Sequence, residues 1–181
     1  MNKTPPAVVI CADALEPMWR AGEAALPKET GGILVGFRTG HGIIVTRSAT
    51  VVDPASSGHH YQLHDEQAQH ALDDLRLTGA PLLGYVGDWH THPADQPPSP
   101  IDLASLKQAA RTSGDLLAQM VLPFHDRHRR PPHGAIALRQ RSRTIIRRHL
   151  VIVGPAQIAV SADAPSKVEQ DAHACWTEGR P

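Results

Sequence analysis

The apolar positions of this chain switch repeatedly between short strand-like runs and helix-like spacing, which predicts a mixed α/β fold: a central mixed sheet flanked by helices. Val8 to Ile10 predicts a short strand. Asp13 with Glu16 makes an acidic variant of a capping box ahead of Leu15, Met18, Trp19, Ala21, Ala25 and Leu26, a first helix that ends near Pro27. Pro17 blurs its start, because proline is comfortable only in the first turn. Gly31 to Phe37 and Gly42 to Thr46 flank a Gly40-His41-Gly42 turn and predict a β-hairpin. Ser48 to Asp53 extends the sheet, and Pro54 to His60 is a Ser/Gly loop expected to be mobile. Asp65 starts a second helix with Ala68, Ala71, Leu72 and Leu75 as its apolar stripe, before the turn from Thr78 to Pro81.

Leu82 to His92 predicts a strand, Pro100 to about Thr112 a third helix ended by Ser113-Gly114, and Leu116 to Leu122 a further strand. Phe124 to His133 reads as a Pro/Arg-rich loop, and Gly134 to Leu138 with Thr144 to Val153 as a closing strand pair. From Pro155 the composition turns small and polar, so the domain is expected over 1–154 and a flexible tail over 155–181. A short helix near 166–176 interrupts that tail: Ser166-Lys167-Val168-Glu169 is a capping box, and Val168, Ala172, Cys175 and Trp176 fall on one face.

With 181 residues, 41 % of them hydrophobic, the chain is long enough for one well-cored domain. The formal net charge is zero, so no global field marks it as a nucleic-acid or membrane binder. No stretch approaches the roughly 20 apolar residues of a membrane span, and the run from Ala7 to Ala12 is too short for a secretory segment. A cytoplasmic protein is the expectation. Cys11 and Cys175 stand at opposite ends with no C-x-x-C, and are expected as reduced thiols.

Chemistry concentrates in the stretch from Gly84 to Leu103. On a strand, successive side chains point to opposite faces, so His90 and His92 share a face and Thr91 takes the other. Two imidazoles on one face can converge on a metal ion, and a catalytic zinc needs about three protein ligands plus an open position. Asp102 is the natural candidate for the third ligand, since Ser99-Pro100-Ile101-Asp102 reads as a helix start with Ser99 at the N-cap and Asp102 at N3. Asp88 lies on the same strand face and competes with it on geometry alone. Each signal taken singly has an ordinary explanation, since alternating histidines are commonly surface or core residues and Ser-x-x-Asp is commonly a cap. Their conjunction favours a metal site.

Glu29, His90-Thr91-His92-Pro93, Ser99 and Asp102 together resemble the signature of the JAMM (MPN-plus) zinc metalloprotease family: an upstream glutamate, H-[ST]-H-P, a short loop, then S-x-x-D. The Gly87-Asp88-Trp89 run is similar to bacterial, deubiquitinase-like members, and the loop from Pro93 to Ser99 holds one residue fewer than is familiar there. The resemblance covers roughly Val8 to Gly154. It implies an MPN-type α-β-α domain of cytidine-deaminase-like architecture, zinc held by His90, His92 and Asp102, Glu29 as general base and acid, and Ser99 as oxyanion donor. Asp88 is then left beside the ligands. The implied substrate is the bond after the C-terminal tail of a ubiquitin-like protein, in a lysine conjugate or before a C-terminal extension. The implied setting is ubiquitin-like conjugation with E1-like and E2-like partners, including antiphage systems, or sulfur-carrier processing. A non-catalytic MPN scaffold that binds protein partners is the alternative from another class, and nucleic-acid binding through the arginine-rich 125–149 face is a third.

Other features point elsewhere less strongly. His59, His60, His64 and His70 lack an H-E-x-x-H pattern and are expected as solvated histidines. The P-C-x-x-C pair that zinc deaminases need is missing. Gly31-Gly32 with Gly36 is neither a dinucleotide fingerprint nor a P-loop. Eight arginines against one acid, Asp126, lie between His125 and His149. Alternation at Arg139, Arg141 and Arg143 fits solvated strand faces, and the lack of interleaved aromatics argues against stacking on nucleic acid. An acidic protein partner remains open, with Arg127, Arg129 and Arg130 as candidate contacts.

Overall fold

A computed structural model describes residues 7–40, 42–79, 81–141 and 149–178. The order of elements is β1 (Ala7–Cys11), α1 (Ala12–Ala25), β2 (Gly31–Arg38), β3 (Gly42–Val51), α2 (Asp65–Leu77), β4 (Gly84–His92), α3 (Pro100–Ser113), β5 (Leu117–His125), β6 (His128–Arg129), β7 (His133–Arg141), β8 (His149–Ser161) and α4 (Pro165–Glu178). The fold is mixed α/β, as the apolar spacing predicts. His41, Ala80 and the Arg143 to Arg148 stretch lie outside the described residues.

The strands are ordered β4-β2-β3-β1-β8-β7-β5-β6, and β4 also pairs with β5, so seven of them close into a ring. The decisive partner is β4, antiparallel to β2 on one side and parallel to β5 on the other. Its N-terminal half carries an irregularity where Leu34 faces Gly87 and Val35 faces Tyr85. That shift changes the phase of side-chain alternation, so Val86 and Trp89, three apart, both enter the core beneath α1. Gly87 makes the shift possible: its φ is +153°, and a Cβ there would stand 1.9 Å from Ala118 O. Past the shift, Asp88, His90 and His92 take the opposite face.

The main core packs Met18 and Trp19 of α1 against Leu34, Trp89, Met120, Leu122 and Phe124, with Trp19 edge-on to Phe124 at 5.4 Å. Two smaller clusters lie on the other side. Leu106 and Ala110 of α3 pack on Leu117, Ala135 and Ala137, and Leu72 of α2 packs on Ile33, Val35 and Leu83. The metal-motif face of β4 therefore opens between α2 and α3.

Three expectations change. The first helix begins at Ala12, directly after β1, with Cys11 in the N-cap position and no side-chain cap; Asp13 sits in the first turn and Pro17 inside the helix. A strand running straight into a helix leaves no room for a capping box at Asp13. The segment read as a loop from Phe124 continues β5 to His125 and turns back through Asp126 and Arg127, both at positive φ, into β6. Finally, residues 155–161 are strand: β8 pairs in parallel with β1 from Ala7↔Gln157 to Cys11↔Ser161. The sheet thus extends beyond 154. α4 follows, and its Val168 packs against the main core.

Candidate metal centre

Two local rules bring the donors together. Strand alternation puts His90 and His92 on one face at the C-terminal end of β4, and the capping box fixes Asp102 at the start of α3. That box is formed in both directions: Asp102 N–H donates to Ser99 Oγ at 3.2 Å and Ser99 N–H to Asp102 Oδ2 at 2.6 Å. The carboxylate is thereby aimed at the strand end. Nε2 of His90 lies 3.0 Å from Nε2 of His92, His90 Nε2 lies 3.5 Å from Asp102 Oδ1, and His92 Nε2 lies 3.5 Å from Asp102 Oδ2. An ion with tetrahedral bonds of about 2.0–2.1 Å requires donor atoms about 3.3 Å apart. The set fits that requirement, and it is the one such group among the described residues.

His92 is also held from behind. Its Nδ1 lies 3.2 Å from the Gln96 carbonyl. A carbonyl only accepts, so Nδ1 carries the proton and the Nε2 lone pair faces inward. Burial works against charge on Asp102, yet hydrogen bonds from His90 and His92 hold its carboxyl well below the usual carboxylate range. It is ionised at neutral pH and can hold a cation. Burial lowers the pKa of His92, but Asp102 and Glu29 outweigh it and the net shift is upward.

The three donors line a cleft of about 710 Å³ together with Glu29 and Ser99. Glu29 lies between α1 and β2, and its N–H donates to Ser57 O at 2.8 Å. Burial raises its pKa, with Asp102 adding to the rise and His90 and His92 opposing it. A carboxyl beside such donors is placed to take and return a proton. Asp88 does not line this cleft. It is half-buried, its Oδ1 atom is covered with no hydrogen-bond partner, and burial pushes its pKa up to about 6. Of the two aspartates, Asp102 is the one whose carboxylate oxygens stand 3.5 Å from the histidine nitrogens.

Residues 12–162 match the family described as prokaryotic homologs of the JAB domain. The chain belongs to that family. A stretch of 79 residues is 34 % identical to the CD-NTase/cGAS isopeptidase of Escherichia coli (strain TW11681), covering 42 % of this chain and 51 % of the relative. The match thus spans about half the length of that relative. Protein DSY2949 from Desulfitobacterium hafniense, solved in solution, superposes with a TM-score of 0.62 at 19 % identity, covering 87 % of this chain and 94 % of that chain. This second likeness is one of fold.

In this JAB domain the site is larger than its motif. His59 and His60 line the cleft with Tyr61 and Gln62 and are exposed to solvent there, in line with the expectation of solvated histidines. The segment is bound from within: Asp53 Oδ1 accepts Ala55 N–H at 2.9 Å and lies 3.2 Å from His64 Nε2, while Oδ2 accepts Gln62 N–H at 2.9 Å. Tyr61 covers Gly31, where a Cβ would stand 2.5 Å from its ring, and its hydroxyl donates to Val51 O at 3.0 Å. His70 stays exposed on α2.

Arg129, a candidate partner contact, is already engaged. It makes paired bonds to Glu23 at 2.6 and 3.2 Å and to Glu16 at 2.7 and 3.1 Å, and lies over Trp19 at 5.6 Å. It fastens the β5–β6 hairpin to α1. Arg130 lies 3.7 Å from Asp95 in the loop between β4 and α3. Among the described residues no helix is long and apolar enough to cross a membrane.

Proposed function

We propose that this chain is a zinc-dependent isopeptidase that hydrolyses the bond after the C-terminal tail of a ubiquitin-like protein. The observation that carries the reading is the meeting of His90, His92 and Asp102 with Glu29 and Ser99 in one cleft. Two imidazoles and a carboxylate are a donor set suited to zinc, with a fourth position left for the reaction. Zinc bound there supplies Lewis acidity and lowers the pKa of water from 15.7 toward about 7. Glu29 takes the proton from the attacking water and delivers it to the departing amine. Ser99 already accepts Asp102 N–H at its oxygen. Its hydroxyl proton can therefore turn to the carbonyl oxygen as negative charge develops there.

The substrate class is supported by family membership and by the name of the isopeptidase relative. An extended tail is slender enough to lie in the cleft at the end of β4. His59 to Gln62 stand on the cleft wall where they can grip the tail. On this reading the reaction runs in the cytoplasm, alongside E1-like and E2-like enzymes that make such conjugates.

The test is to incubate the zinc-loaded chain with ubiquitin-like fusions from its own genome, with ubiquitin carrying a C-terminal peptide extension, and with casein. Glu29→Gln and chelator-treated chains serve as controls, and products are read by mass spectrometry. Cleavage after the terminal glycine of a fusion, lost in both controls, is expected. Degradation of casein, or no zinc-dependent cleavage of any fusion, would overturn the substrate class.

A further inference from the structure

Thr91, the residue between the two histidines, points away from the cleft and is fully buried. Its hydroxyl accepts Thr30 N–H at 3.0 Å and lies 3.4 Å from Thr30 O, to which it donates. Its own backbone N–H donates to the same Thr30 carbonyl at 2.8 Å. Thr30 is thus held at both its polar main-chain groups by one residue of β4. The ladder between β2 and β4 ends at Gly31↔His90, so the Thr91 side chain carries the pairing one residue further. That next residue immediately follows Glu29. On its other side Glu29 is tied by its N–H to Ser57 O.

We propose that Thr91 is a positioning residue for Glu29. The strand that presents two metal donors on one face uses the side chain on its other face to set the distance between those donors and the carboxylate. Alternation makes this arrangement compact: His90 and His92 look into the cleft, and Thr91 grips the backbone that enters it. The methyl group has a second contact, since a Cβ on Gly22 would stand 2.8 Å from Thr91 Cγ2. A hydroxyl and a methyl on one branched carbon are both in use, which neither valine nor serine reproduces in full. The proposal rests on Glu29 being the general base of the reaction described above.

The experiment compares Thr91→Val, Thr91→Ser and Glu29→Gln, singly and with Thr91→Val combined with Glu29→Gln, using the zinc-loaded chain and a ubiquitin-like fusion from its own genome. Valine keeps the shape and removes the hydroxyl. Thr91→Val is expected to keep one zinc per chain and KM within about twofold, while kcat falls about 10- to 100-fold, as for a misplaced reacting group. Thr91→Ser is expected to recover most of that loss. In the Glu29→Gln background Thr91→Val is expected to add nothing, because both changes act through one carboxylate.

Independently of any substrate, a crystal structure of zinc-loaded Thr91→Val is expected to show the Glu29 carboxylate moved by more than about 0.5 Å. If Thr91→Val does not fold, Thr91→Cys carries the same comparisons with a weaker donor and acceptor. Unchanged kcat with an unmoved carboxylate, loss of zinc, or an equal further loss in the Glu29→Gln background would overturn the proposal. So would a Thr91→Ser chain as impaired as the valine one. Full activity of Glu29→Gln would overturn the general-base reading itself and the proposal with it, and is distinguished by the single variant alone.

Discussion

Arg47 and Glu169, 122 residues apart, hold each other through two hydrogen bonds: Arg47 Nε and Nη2 donate to the two carboxylate oxygens at 2.9 and 3.1 Å. Arg47 also donates to Thr78 Oγ1 at 3.0 Å and Thr78 O at 3.2 Å. One guanidinium therefore joins β3, the turn after α2, and α4. The Glu169 side chain is 4 % exposed and that of Arg47 22 %, so the pair is largely removed from water. Breaking one partner of such a pair leaves a charge without its counterpart. Glu169→Gln is expected to lower stability by about 2 kcal/mol, less than for a wholly buried pair. In urea this reads as a lower midpoint at unchanged slope.

The Asp53 carboxylate gives the cleft wall a pH dependence. Gln62 N–H, then Ala55 N–H and His64, lower its pKa, with burial opposing them. A carboxyl whose folded pKa is depressed contributes fully above its unfolded value of about 3.9, and the contribution disappears as pH falls through the folded value. Asp53→Asn is expected to be less stable than the parent chain at pH 7, with the gap closing below about pH 4. Urea midpoints measured from pH 3 to pH 7 check both the sign and the window. A gap that widens toward acid would mean that Asp53 does not hold this segment as a carboxylate.

What could be read from the sequence was what depends on near neighbours. The alternation of His90 and His92 has a period of two, the Ser99–Asp102 box spans three residues, and both stand where those periods put them. The hairpin of β2 and β3 and the apolar stripe of α2 have the same local origin. What escaped depends on distant partners. Residues 155–161 continue β8 because Pro155 and Ala156 pair with β7 and Gln157 to Ser161 pair with β1 at the far end of the chain. The turn into β6 uses Asp126 and Arg127 at positive φ, where glycine is the usual signal. Arg129 looked available because Glu16 and Glu23 are more than a hundred residues away. Thr91 was visible only as the residue facing the wrong way.

The ligand set predicts a metal balance. His92→Ala and Asp102→Ala each remove one of three donors and are expected to abolish tight zinc binding, whereas Asp88→Asn is expected to retain about one zinc per chain. Elemental analysis after gel filtration distinguishes them. Metal that binds only the folded chain adds stability: at free zinc about 100 times Kd the gain is about 2.7 kcal/mol. The parent chain and Asp88→Asn should therefore lose melting temperature on chelation, and the two ligand variants should not. Full zinc in either alanine variant would sink the assignment.

Ser99 has two tasks whose contributions can be separated. Its Oγ accepts Asp102 N–H, which stabilises the first turn of α3. Its N–H donates to Asp102 Oδ2, a main-chain bond that survives any ordinary substitution at this position and keeps the Asp102 carboxylate aimed at the histidines. Ser99→Ala is therefore expected to keep its zinc. It should lose about 1 kcal/mol of stability with the cap, and about 10²- to 10³-fold in kcat if the hydroxyl proton meets the developing oxyanion. Ser99→Asn tests the division, because asparagine is as good an N-cap as serine but carries its donor on a longer, planar group. Urea unfolding should find its stability close to that of the parent chain, while turnover stays near that of Ser99→Ala. Turnover restored together with the cap would mean that Ser99 acts through the helix start alone, and the oxyanion would then have to be met by another group in the cleft.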